Sequence, residues 1–253
     1  MIFKRVLITV LILFCAFFIF SCASKTEEDE SKLVDLTTDA GNAKEDTTDE
    51  SSETKDLTLG EIQDGVYTND YFNFKIILPS NWFDLDEEQR NLMQDIGKEA
   101  IAKDDAVKKK ALELASQNTL SLFTLYEMDP LEAQDYNPSF SMVAEKLSGL
   151  SNILINTPEQ YFEILKTNLT DTIEVDGIPI EYTFIDIENI TLSGKEFSVM
   201  RLEASVYDGA LIINQDYYAT KADKYMISAI LTYKTSEQKL QLETAMQSIA
   251  FNE

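Results

Sequence analysis

The sequence predicts an α+β fold, an antiparallel β-sheet sandwiched by helices, and three observations lead there. Period-two runs of apolar residues recur over residues 65–253, short turn sequences join several of them, and capping boxes open helical stretches between them. The 253 residues divide by charge into three zones: +2 over 1–22, −10 over 23–64 and −16 over the rest, for a net −24.

The first zone reads as an export signal. A basic start, Met1 to Arg5, precedes a 15-residue apolar run from Val6 to Phe20, short of the roughly 20 residues that span hydrocarbon. The tetrapeptide Ile19-Phe20-Ser21-Cys22 resembles a bacterial lipobox, with an aliphatic residue three before the Cys and a small one directly before it. That resemblance implies diacylglyceryl transfer to the Cys22 thiol, cleavage before it (so that 1–21 is a lipoprotein signal peptide) and acylation of the new amine. Phe20 departs from the usual small residue. Cys15 is the competing thiol, but Phe14 stands where a small residue is needed. An uncleaved anchor over residues 6–24 is the other reading, and both place the chain at a cell membrane on its extracytoplasmic face. Two or three acyl chains, palmitate among them, hold a protein stably, whereas one is marginal.

The second zone, residues 22–64, is the lipidated Cys followed by an acidic tether. Residues 23–64 hold 14 acids, 4 bases and no aromatic residue. Such a segment cannot bury enough apolar surface to offset its ordering entropy, so it is expected to be disordered, with a reach on the order of 35–40 Å. Leu33, Val34 and Leu36 form its one apolar cluster, read as linker or as a short docking motif.

Residues 65–253 are long enough for one core and hold all 11 Tyr and the single Trp82. Phe72, Phe74, Ile76 and Leu78 alternate along a strand that Pro79 ends. Further strands are expected at Leu120–Met128, Ile180–Ile187, Phe197–Tyr207, Leu211–Tyr218 and Tyr225–Tyr233, joined by Ser193-Gly194, Asp208-Gly209 and Lys221–Lys224 as hairpins. Tyr225, Ile227, Ala229, Leu231 and Tyr233 oppose Met226 and Ile230; Leu120, Leu122, Tyr126 and Met128 oppose Phe123 and Leu125. Strands apolar on both faces need cover on both faces, which predicts helices above and below the sheet. Those helices begin at Thr157-Pro158-Glu159-Gln160, at Thr235-Ser236-Glu237-Gln238, and near Asp84 and Glu87. The last region runs to about Gln117 with a break near Gly97 or Lys103-Asp104.

Gly65-Val66-Tyr67-Thr68-Asn69, the run Phe72 to Pro79 and Trp82 resemble the opening of PsbP-like domains. Gln215-Asp216-Tyr217-Tyr218, the hairpin to Tyr225 and the close Ser248-Ile249-Ala250-Phe251 are similar to their end. The resemblance implies a single PsbP-like α/β/α sandwich over 65–253. It also implies non-catalytic binding, the common thread of a family that includes the photosystem II extrinsic subunit and bacterial lipoproteins. None of that family's binding residues matches a position here.

The chemistry available is narrow. There is no His, and both Cys lie in the first 22 residues, so the rest of the chain has neither the commonest general base nor a thiolate metal site. The acidity disfavours nucleic acid and anionic lipid surfaces. Ser236-Glu237-Gln238-Lys239 has the Ser-x-x-Lys spacing of an acylase, yet Thr235 and Gln238 already explain it as a helix start. Ser193-Gly194-Lys195 lacks the glycines of a phosphate cradle and reads as a turn. Asp84, Asp86, Glu87 and Glu88, like Asp104 and Asp105, suit helix N-termini, with weak divalent-cation binding as the alternative. Tyr217 and Tyr218 fit sheet packing better than a ligand surface.

The expected function is a lipid-anchored, extracytoplasmic interaction module of the bacterial cell envelope. It is not an enzyme, carries no catalytic or metal residue and no cofactor, and binds a protein or another envelope component. A small-ligand or cation-binding lipoprotein is the alternative, and a hydrolase with paired carboxylates the remaining one.

Overall fold

The computed structural model describes residues 57–252 apart from 131, 134–135, 148–154, 170–172 and 176–177. Two antiparallel sheets and four helices make up this region, an α+β arrangement. Strands β1 (Glu61–Gln63), β2 (Val66–Asn69) and β3 (Phe74–Ile77) form a small sheet, closed on its far side by β12 (Ala250–Phe251). The larger sheet has eight strands: β4 (Phe83–Asp84), β5 (Thr119–Tyr126), β6 (Ser139–Lys146), β7 (Ile173–Val175), β8 (Ile178–Leu192), β9 (Lys195–Val206), β10 (Leu211–Ala222) and β11 (Tyr225–Tyr233). Their order across the sheet is β4-β5-β6-β11-β10-β9-β8-β7. The helices are α1 (Glu87–Ala102), α2 (Ala106–Asn118), α3 (Pro158–Leu169) and α4 (Ser236–Gln247).

The turns follow the residues written into them. Ser193 and Gly194 both have positive φ, which gives the two-residue hairpin turn matched to strand twist between β8 and β9. Asp223 takes positive φ in the next two-residue turn, so β10 runs on to Ala222, past the Tyr218 expected from alternation. Thr235 and Gln238 cap α4 reciprocally, and Asp86 and Gln89 do the same for α1, two residues later than Asp84, which lies in β4. The helical break falls at Lys103, with φ +50, and Asp105 caps α2; Gly97 stays inside α1.

Alternation along β11 divides its residues as the sequence predicts. Ile227, Ala229 and Leu231 enter one core cluster, with Phe140, Val199, Phe74, Ile76 and the α4 residues Leu242 and Met246; Met226 and Ile230 enter another, with Met200, Leu202, Tyr217 and the α3 residues Tyr161, Phe162 and Leu165. Helices therefore cover the second face, where Ile101 of α1 also packs on Ile180 and Val206. The first face is covered by the small sheet together with α4, a shared cover in place of helices alone. The opposition expected along Leu120–Met128 fails because a bulge between Ser121 and Phe123 shifts register, and Leu122, Phe123 and Leu125 all join the first cluster. Strand β6 is an addition to the expected strands.

Candidate functional site

The residues singled out in the sequence fall in three places. Cys22, Cys15, the apolar run and the Leu33–Leu36 cluster lie outside the described residues, and among those described no helix is long and apolar enough to cross a membrane. Ser236 opens α4, and the Lys239 ammonium sits 3.6 Å from Glu243 and 4.0 Å from Asp216. Its ammonium is thus engaged by two carboxylates, and Thr235 with Gln238 accounts for the segment as a helix start. Tyr217 and Tyr218 are buried on opposite faces of the sheet. Asp86 and Asp105 are spent as caps, and no group of three metal-ligating side chains is found among the described residues.

The structure brings together a polar cleft that no single stretch of sequence announces. A concavity of about 540 Å³ lies between α1, the end of α2 and the start of β5. Glu87, Arg90, Asn91, Gln94 and Lys98 reach it from α1 at helical spacing, so one stripe of the helix lines it. Ser116 and Gln117 of α2 and Thr119 and Ser121 of β5 form the opposite wall. Arg90 donates to the Leu85 carbonyl, and Lys98 is 2.6 Å from Asp95. Cations and acids balance, while amides and hydroxyls supply donors and acceptors on both walls, the chemistry that holds a neutral, hydrogen-bonding ligand. The sequence signal was an α1 stripe with no apolar residue at 87, 90, 91, 94 or 98; its partner wall lies some thirty residues on and is invisible to periodicity.

Leu59 closes one rim of this cleft, and its position is fixed by a buried clamp. The Tyr67 hydroxyl donates to the Leu59 carbonyl at 2.6 Å, and the Asn69 amide donates to the Thr58 carbonyl at 3.1 Å and to the Tyr67 oxygen at 2.9 Å. Asn69 also accepts from the Phe72 N–H at 2.9 Å, so this fully buried side chain uses both of its ends. Burial pushes the Tyr67 hydroxyl up to about 12, which keeps it a donor throughout the neutral range. Residues 57–64, read from sequence as the end of the tether, thus take part in the fold, because their carbonyls find buried donors. Gly60 makes this possible: its φ is +77°, and a Cβ there would lie 2.5 Å from both the Thr68 carbonyl and the Tyr67 hydroxyl. Gly60→Ala is expected to release residues 57–60 while leaving the large sheet intact. Limited proteolysis reads this directly as a new cleavage near Leu57 with little change in the melting of the rest.

Two further carboxyls are withdrawn from solvent, Asp216 fully and Glu145 in part. Asp216 is buried on the first face, where the Tyr233 hydroxyl donates to it at 3.1 Å and the Arg201 guanidinium stands off as an ion pair at 3.9 Å; burial raises its carboxyl above the usual range against the pull of Lys239, Tyr233 and Arg201. Arg201 also bridges Asp186 and Glu188, forming a row across β8, β9 and β10. On the second face Tyr161 donates to Glu145 at 2.9 Å, and burial lifts the Glu145 carboxyl to about 7 against that hydrogen bond.

The described chain is thus an α+β protein built on antiparallel sheets with a polar cleft beside its N-terminal clamp. Among solved structures it is similar to cyanobacterial PsbP (CyanoP) from Synechocystis sp. PCC 6803, at 9% identity and a TM-score of 0.43, over 74% of this chain and 91% of that one. No family model and no curated protein matches the sequence.

Proposed function

We propose that this chain is a lipoprotein of the bacterial cell envelope, with a PsbP-like domain, anchored through acyl chains on Cys22 and working as a non-catalytic binding module on the extracytoplasmic side. The observation that supports the reading is the clamp of Tyr67 and Asn69 on Thr58 and Leu59: a tether is useful when its junction with the domain is fixed relative to a binding surface, and Leu59 is both clamped and part of the cleft's lining. The lipobox-like residues Ile19 to Cys22 and the acidic spacer after them supply the anchor and the distance from the membrane.

The anchor is tested by metabolic labelling with radioactive palmitate. The natural chain is expected to label and to sediment with membranes, and Cys22→Ala is expected to do neither; persistent labelling of Cys22→Ala overturns the anchor. The binding role is tested by placing a photo-crosslinking residue at Gln94 in the cleft and at exposed Leu240 on α4. A discrete adduct from position 94 absent from position 240 supports it, and equal background from both counts against it.

The cleft volume of about 540 Å³ favours one second reading, a receptor for a small polar ligand, since it falls in the range of small-molecule sites. Such a ligand raises the melting temperature in proportion to the logarithm of its concentration, and Gln94→Ala removes that shift.

A further inference from the structure

The large sheet ends unevenly. Strand β7 pairs only with Ile178, Pro179 and Ile180, and beyond them no described strand lies along the outer side of β8, although β8 continues to Leu192. Every second residue of such a run turns its N–H and C=O away from the sheet, which makes it a template for another strand. The bulge between Phe184 and Asp186 interrupts the template near its start. From Ile187 to Leu192 the register with β9 is unbroken, and this six-residue run is long enough to pair with an extended peptide.

A pocket of about 200 Å³ lies beside that run, between the sheet and the start of α3. Asn189 and Thr191 of β8 and Glu196 and Ser198 of β9 form its floor, and Thr157 and Glu159 its helical wall. A strand added to β8 would send every second side chain over this pocket, the geometry in which main-chain pairing gives affinity and alternate side chains give selection. The pocket's charge names the side chain. Both titratable residues lining it, Glu159 and Glu196, are acids, and Asn189 Oδ1 already accepts from Ser198 at 2.6 Å. The α3 N-terminus adds about half a positive charge, less than the two carboxylates, and its Gln160 N–H already donates to the Thr157 hydroxyl. The lining therefore favours a cation, the neighbouring Lys221 ammonium being engaged by the Ile155 carbonyl, and the chain's own acidic tether is the wrong sign to fill it.

We infer that the outer edge of β8 from Ile187 to Leu192 is a docking site for an extended, lysine- or arginine-bearing peptide segment of a partner protein, which adds as a strand and places a basic side chain between Glu159 and Glu196. This goes beyond the anchor and the cleft and depends on neither.

The test uses the full chain in detergent and fluorescence anisotropy. The probe is a fluorescein-labelled eight-residue peptide alternating lysine and valine, with a glutamate-valine peptide and an N-methylated lysine-valine peptide as comparisons. The lysine peptide is expected to bind at least about tenfold more tightly than either. Glu159→Gln with Glu196→Gln is expected to weaken it by about tenfold, while the distant pair Glu113→Gln with Glu237→Gln, which removes the same charge elsewhere, leaves it unchanged. Equal binding of the N-methylated peptide, equal loss in both double variants, or concentration-dependent self-pairing that a Thr191→Pro change abolishes would each overturn the inference. Circular dichroism of each variant shows that the sheet remains. Cys22→Ala leaves peptide binding intact, so failure of the anchor reading and failure of this one are separable.

Discussion

Phe123→Ala is expected to lower the stability of the folded chain by about 3–5 kcal/mol. Phe123 is fully buried at the point where the two sheets meet. Its ring lies 4.9 Å from Tyr67 of the small sheet and 5.1 Å, edge-on, from Phe140 of the large one. Truncation removes the transfer free energy of the ring and leaves a cavity that neighbours on two different sheets can close only by moving the sheets together. Typical domains have 5–15 kcal/mol in total, so the variant is expected to be marginal at body temperature. Leu240→Ala, at a side chain 66% exposed, is the matched control and stays within about 0.5 kcal/mol. Urea unfolding followed by tyrosine fluorescence reads both. A loss below about 1 kcal/mol for Phe123→Ala would mean that the sheets are not held together through this ring.

Glu145→Gln is expected to make the protein more stable at pH 8 and no different at pH 4. In the folded chain burial holds the Glu145 carboxyl near 7, against an ordinary value of 4.5 once unfolded. Below 4.5 both states carry the proton and the residue contributes no pH dependence. Between 4.5 and 7 only the folded state keeps it, so stability falls as pH rises through that window and stays lower above it. Allowing for the partial exposure of the residue, the loss is roughly 2 kcal/mol. Glutamine keeps an acceptor for the Tyr161 hydroxyl and cannot ionise, which removes the slope. Denaturation midpoints between pH 4 and pH 8 measure it, and a slope unchanged in the variant would assign it to another group.

Local chemistry was legible in the sequence and long-range assembly was not. Thr157, Thr235, Pro158 and Pro79 act within a few residues of themselves, and each marks a boundary where the structure has one. The start of α1 slipped from Asp84 to Asp86 because two acids compete for one cap, and the one whose carboxylate reaches the Gln89 N–H takes it. Strand β6 escaped because its polar members are buried: Ser139 bonds Thr232 at 2.6 Å and Ser141 bonds Thr124 at 3.3 Å, so hydroxyls paired across strands lie inside the sheet and mask the apolar alternation. The cleft and the clamp join residues from four segments, and alternation carries no information about which segments meet. The edge of β8 was hidden for a related reason, since a strand's sequence does not say which of its sides has a neighbour.

The small sheet has a consequence for the order in which the chain can become complete. β1, β2 and β3 are the first described elements to leave a ribosome or a translocation channel, yet their fourth strand is Ala250–Phe251, and Asn73 donates to the Asn252 carbonyl across 179 positions. The meander from β8 to β11 needs only near neighbours and can pair while the chain is still growing. The free side of β3 therefore stays without its backbone partner until Ala250 and Phe251 have been made. Residues 250–252 thus act as a latch, and their loss is felt by the strands that come first among the described elements.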